Sequence, residues 1–170
     1  MPRDHPTTTT APPRHQRADG AFELRFGPDG GLRHLFQQAP LRVLFPTPEP
    51  GEPPLAAAVN CAGGLAGGDA LRQEVRLEAG ARAVVSTASA EKVYRSLGAA
   101  DARVSTSLAL GPSAVLEWIP QETILFDGAR LERRLRAELA EGAVLLAAET
   151  LVFGRAARGE QMRSGALLDA

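Results

Sequence analysis

Apolar and polar residues alternate with a period of two over most of this chain. Phe22, Leu24 and Phe26 are separated by Glu23 and Arg25, which is the signature of a half-buried strand, and ordered structure is expected from about Ala21. After residue 69 strand follows strand. Leu71, Val75 and Leu77 alternate with polar neighbours, as do Val104, Thr106, Leu108 and Leu110, and later Leu131, Leu135 and Leu139. A glycine turn closes most of these runs. The proline-rich stretch PTPEPGEPP at 46–54 would break a helix or a central strand and is read as a loop. Short helical turns are expected at Ser89–Leu97 and near 155–164. Residues 1–19 are rich in proline, threonine and charge and cannot bury apolar surface. They are read as a disordered leader to a single β-rich domain at 20–170.

A longer period overlays the alternation. The segments VRLEAGARAVVST (75–87), TSLALGPSAVLEW (106–118) and AELAEGAVLLAAE (137–149) align without gaps, placing Leu77, Leu108 and Leu139, and likewise Gly80, Gly111 and Gly142, 31 residues apart. Each unit is a strand, a glycine turn and a second apolar strand. Glycine suits the turn because it reaches positive φ without steric cost. A fixed period of this kind marks stacked units that share one core. The predicted fold is therefore mostly β, with strands wound into a helix-like stack and one or two short helices.

Composition removes several classes of function. A chain of 170 residues buries about 70% of its unfolded surface. It carries 19 basic against 20 acidic residues, net −1, with no clustered basic face of the kind a nucleic-acid partner needs. Cys61 is the single cysteine, so neither an intrachain disulfide nor a Cys-x-x-Cys zinc site can form. His5, His15 and His34 all fall early, and two of them lie in the leader, which removes a histidine cage. No histidine downstream of residue 34 is available to activate a serine in STASAEKVYRS (86–96). The start lacks the apolar stretch of a signal peptide, and no apolar run approaches the 18 or more residues of a membrane span. A reducing cytoplasm is the expected location, with neither nucleic acid nor membrane as partner.

Four motifs remain. CAGGLAGGD (61–69) ends in Asp69 where a P-loop needs Lys-Ser/Thr, so a tight turn with Asp69 bonded to turn amides is the better reading. Around Tyr94, Lys92 and Arg95 supply two cations, read either as a solvated polar turn or as a partner-binding or internal salt-bridge site. LEWIPQETILF (116–126) sets Glu117 and Glu122 beside the only tryptophan, Trp118; a glycosidase-like carboxylate pair is weighed here against a packed acidic residue. ETLVFGRAARGE (149–160) offers Glu149, Arg155 and Glu160 as an ion-pair group or a protein-binding surface.

The order GGLAGGD, KVYRS, LEWIPQETILFDGA, FGRAARGE resembles the urease accessory proteins of the UreD (UreH) type across about residues 20–168. LEWIPQETI is its most specific element. Cys61 and Ala62 depart from the proline-containing segment usual before the glycine tract, and Glu91 stands where a small hydroxyl residue is common. The resemblance implies a mostly β protein without enzymatic activity. Such a protein binds apo-urease and a complex of a helical accessory protein with a GTPase, and the assembly passes Ni²⁺ to urease. It also implies that the chain lacks the C-terminal portion of the family domain.

Nickel binds tightly to imidazole or thiolate and loosely to carboxylate, carbonyl and water, and a conduit needs the loose kind. Asp69, Glu117, Glu122, Glu149 and Glu160, all within the four motifs, are therefore the expected lining of a transient nickel path, with no tightly bound cofactor. Lys92, Tyr94, Arg95, Trp118 and Arg155 are the expected partner-binding residues. The alternatives are a protein scaffold that never touches metal and a carboxylate-based hydrolase.

Overall fold

The computed structural model describes residues 16–170. The leader expected at 1–19 falls mostly outside the described residues. The chain folds into three sheets that it visits in turn, coil after coil. The first, irregular coil contributes β1 (Asp19–Phe26), β2 (Leu32–Gln38), β3 (Leu41–Leu44) and β4 (Leu55–Asn60), with the proline-rich segment looping between β3 and β4. Regular coils follow as β5 (Ala70–Leu77), β6 (Arg82–Thr87) and β7 (Glu91–Val93); β8 (Ala102–Leu110), β9 (Val115–Trp118) and β10 (Thr123–Leu125); and β11 (Ala129–Leu139), β12 (Val144–Ala147) and β13 (Leu151–Phe153). A last strand, β14 (Gly165–Asp169), returns to the first sheet. The sheet orders are β14-β11-β8-β5-β1-β2, β12-β9-β6-β4-β3 and β13-β10-β7. Apart from the hairpins β1-β2 and β3-β4, every pairing is parallel.

The helix-like stack of β units is thus present, and its register corrects the expected 31-residue spacing. Leu77 pairs with Leu110, and Leu110 with Leu139, so successive coils are 33 and then 29 residues apart. Leu108 lies beside Val75 and Ala137 instead. The left-handed turn position is filled by Gly80 (φ 70°), Ser113 (φ 56°) and Gly142 (φ 70°). Gly111 is required for space: a Cβ there would lie 3.0 Å from the Leu77 carbonyl oxygen. The gapless alignment matched glycines that do different physical work.

Side chains of one parity point inward, so parallel pairing stacks them in columns. Leu24, Val75, Leu108 and Ala137 form one column, and Phe26, Leu77, Leu110 and Leu139 another. Leu108 is 1% exposed, and full burial of such a side chain contributes about 1.5–3 kcal/mol. The alternation that predicted β1 places Phe22, Leu24 and Phe26 in this core. The expected helical turn over Ser89–Leu97 is corrected: that segment holds β7, in which Glu91 and Val93 alternate inward while the strand pairs with β10 in the third sheet. Near 155–164 there is only a single 3-10 turn, Ala156–Arg158. Strands β14, β12 and β13 end their sheets at one side of the stack, where Val144, Leu146 and Phe153 are exposed.

Candidate functional site

One level of the interior is polar. Phe22, Gln73, Thr106 and Leu135 form the inward column of the first sheet, and the Thr106 hydroxyl bonds the Gln73 side-chain oxygen at 3.1 Å. Opposite them stand Thr87 of β6 and Trp118 of β9, and the third sheet contributes Glu91 and Thr123. A cavity of about 60 Å³ is bounded by Gln73, Thr87, Glu91, Thr106, Trp118 and Glu149. A second, also about 60 Å³, opens toward Asn60 and Ser89. Gln73, Thr87 and Glu91 line both, so they form the wall between the two.

The far end of this level is closed by an ion-pair group. Arg133 is 7% exposed and lies in the same column as Leu71 and Val104. Its guanidinium donates to Asp169 through Nε at 2.9 Å and Nη2 at 2.7 Å, a bidentate grip, and Nη2 lies 3.3 Å from Glu149. The Trp118 indole N–H donates to Glu149 at 3.2 Å. Glu149 therefore pairs with Arg133, not with the Arg155–Glu160 pair anticipated for it.

The five acids expected to line a path do not converge. Asp69 is buried and accepts backbone N–H groups of Ala18 (2.9 Å) and Ala66 (2.8 Å), the turn role that its motif predicted. Glu117 points away from the core, since Leu116 and Trp118 on either side point in; it borders a groove under the proline-rich loop. Glu122 sits before β10, where its carbonyl accepts the Glu91 N–H at 2.9 Å. Glu160 lies at the outer surface, paired with Arg155. Only Glu149 reaches the interior cavity. Among the described residues no group of three or more His, Cys, Asp or Glu could hold a metal ion.

Sequence reasoning missed Glu91. Parity carried the signal, because Val93 two residues on is inward and buried. The Glu91 carboxylate accepts the Asn60 amide N–H at 3.0 Å and the Lys92 backbone N–H at 3.0 Å. Burial pushes this carboxyl above its ordinary value of 4.5, opposed by those two hydrogen bonds and the Lys92 charge. The folded state thus holds the Glu91 proton more tightly than the unfolded chain does. That contribution to stability is complete below pH 4.5 and is lost as pH rises through the raised value. Wild-type stability is accordingly expected to fall relative to Glu91→Gln across this window, as read from urea unfolding at several pH values. A difference that does not vary with pH would contradict the burial.

A second cluster lies outside the third sheet. Tyr94 packs edge-on against Phe126, with ring centroids 5.0 Å apart, and the Arg155 guanidinium covers the Phe126 ring at 4.3 Å from its centroid. Arg95 pairs with Asp127 at 2.6 Å. Asp127 also accepts the N–H groups of Arg163 (2.9 Å) and Ser164 (3.0 Å), which hold its carboxyl below its ordinary range. The Tyr94 hydroxyl donates to the Gly63 carbonyl at 3.0 Å, tying the glycine tract to this face. A Cβ at Gly64 would come within 2.7 Å of the Lys92 carbonyl oxygen, so the tract needs glycine for close approach. Four of the expected partner-binding residues, Lys92, Tyr94, Arg95 and Arg155, share this surface. Trp118 does not: at 3% exposure it belongs to the core, and its expected docking role is corrected.

No helix among the described residues is long and apolar enough to cross a membrane. Comparison with known proteins adds the family. A family model described as UreD urease accessory protein matches residues 18–170. The chain is 58% identical over 127 residues to the urease accessory protein UreD of Granulibacter bethesdensis, covering 75% of this chain and 52% of that protein. It is 47% identical over 174 residues to the urease accessory protein UreD 1 of Methylobacterium radiotolerans, covering 99% and 59%. To the urease accessory protein UreD of Magnetococcus marinus it is 45% identical over 157 residues, covering 91% and 54%. The chain spans about half the length of these curated relatives.

Proposed function

The chain belongs to the UreD urease accessory protein family, and from that membership we propose that it is a non-catalytic scaffold in the assembly of the nickel metallocentre of apo-urease. It works in the cytoplasm, in complex with apo-urease, a helical accessory protein and an accessory GTPase. The match over residues 18–170 carries this reading. The form of the fold supports it. A stack of sheets offers long walls and extended outer faces, both suited to holding several proteins in fixed relation.

Nickel, as cargo, passes the polar interior level in this reading. Glu91 and Glu149 there supply carboxylates, and Gln73, Thr87 and Thr106 supply neutral oxygens, all of them donors that bind nickel weakly enough to release it. Exchanging Glu91 for Gln in the full chain is expected to lower the nickel content of urease matured in cells about tenfold, the lower end of what removing one polar group beside a metal's ligands costs. Glu117→Gln, on an outer face, is expected to leave loading unchanged. Full loading by the Glu91 variant, with its complexes intact, would rule out the interior route.

One observation favours the plainer reading of a scaffold that never contacts metal. Each interior cavity leaves about 60 Å³ open to water, room for about four molecules at the roughly 15 Å³ that one needs, fewer than the six around a fully hydrated ion. Passage along this level requires a partly dehydrated ion or a wider interior. Nickel content of the two variants separates the readings.

A further inference from the structure

The outer face of the third sheet has a defined layout. Register places Lys92, Ile124 and Val152 side by side in one outward row across β7, β10 and β13, about 10 Å wide at ordinary strand spacing. Tyr94 and Phe126 continue the next outward row. Beside them the chain after β13 turns at Ala156–Arg158 and runs on to Arg163, enclosing a groove of about 480 Å³ between Tyr94, Phe126 and Gly159. Val152 is 37% exposed and Tyr94 39%, so the centre of the face is apolar and open.

Charge surrounds that centre. Lys92, Arg95, Arg155, Arg158 and Arg163 supply five cations against the three carboxylates Glu122, Asp127 and Glu160, on a chain whose net charge is −1. Asp127 and Glu160 are already engaged by Arg95 and Arg155. Lys92, Arg158 and Arg163 make no ion pair among the described residues, and all three are exposed. An apolar strip ringed by unspent cations is the arrangement that accepts an acidic segment carrying an aliphatic or aromatic anchor.

We infer that this face is the docking surface for such an acidic, apolar-anchored segment of a partner protein. The inference rests on the maturation-scaffold reading and adds to it the place and the chemistry of one contact. A polynucleotide fits the face poorly. The Phe126 ring is covered by Arg155 and packed at right angles to Tyr94, so it is not an open stacking platform for a base, and Ile124 and Val152 offer nothing to a phosphate.

The test uses the full chain, purified apo-urease, the helical accessory protein and the GTPase, with Arg158→Glu combined with Arg163→Glu. Both arginines are exposed and outside the core, and circular dichroism with a thermal melt establishes that the variant folds. The wild-type chain is expected to bind one of the three proteins with an affinity that weakens as salt is raised. The double variant is expected to bind that protein about tenfold or more weakly, with a flatter salt dependence. Hydrogen exchange at 92–95 and 124–127 is expected to slow in the wild-type complex. Unchanged affinity and salt dependence in the variant would overturn the docking face and leave the scaffold reading standing. If the wild-type chain binds none of the three proteins, the scaffold reading falls and this inference falls with it. Arginine-dependent binding of a single-stranded RNA 20-mer, with protein binding unaffected, would also overturn it.

Discussion

Trp118→Ala is expected to destabilise the fold by about 3–5 kcal/mol, the cost of deleting a large buried ring whose neighbours collapse only in part. Trp118 is 3% exposed and stands in the inward column of the second sheet between Val85 and Ala147. Its neighbours in that column, Val85 and Ala147, are both much smaller than the indole and cannot fill the space it would leave. The indole N–H also satisfies Glu149, which the substitution leaves without that donor. For a domain of this size the loss corresponds to a melting point lower by roughly 10 °C. Trp118→Phe keeps most of the ring and removes the N–H, so its cost should be smaller, about 1–2 kcal/mol. Urea unfolding curves for the two variants make the comparison. An alanine variant that loses less than about 1 kcal/mol would mean that the ring is not packed between these coils.

The second large effect is expected at Arg133. Its side chain is 9% exposed and faces Glu149 and Asp169, whose side chains are 22% and 36% exposed. Arg133→Met keeps the length and apolar stem and leaves the two carboxylates without their cation. Breaking a buried pair in this way costs about 3–5 kcal/mol, and the partial exposure of both acids puts the expected value near 3. The pH dependence provides an internal check. Hydrogen bonding to Arg133 holds the Asp169 carboxyl below its ordinary value of 3.8. The contribution of the pair is therefore complete above that value and is lost as pH falls through the lowered one. The gap between wild type and Arg133→Met should close in acid, and unfolding free energies at neutral pH and below pH 3 would show it. A gap of equal size at both would place the effect in packing rather than charge. Arg133→Lys should not restore full stability, because an ammonium cannot reproduce the two-pronged contact with Asp169.

Both residues illustrate how far parity alone reaches. Leu116 and Trp118 are apolar neighbours of Glu117, so alternation already places Glu117 outside, and Val93 likewise draws Glu91 inside. Leu131 and Leu135 bracket Arg133 at the same parity and mark it as interior. A reading by motif overrode that signal, grouping acids because they fell in distinctive tracts. The acids then proved to belong to different faces and different sheets.

Alternation and glycine punctuation by themselves determined that the chain is β and that its units stack, while the order of its motif tracts carried the resemblance to one family. These are local properties: each strand's two faces and each turn's backbone freedom are set by residues within a few positions of one another. Which coil lies on which, and by how many residues, was decided only in three dimensions. The 33- and 29-residue offsets arise because parallel hydrogen bonding and column packing select the register, and a serine can fill a left-handed turn that glycine fills elsewhere. The meeting of Glu91 with Asn60, of Arg133 with Asp169 and of Arg155 with Phe126 has the same origin. No local rule relates residues a full coil apart until the stack has closed and brought them to within hydrogen-bonding distance.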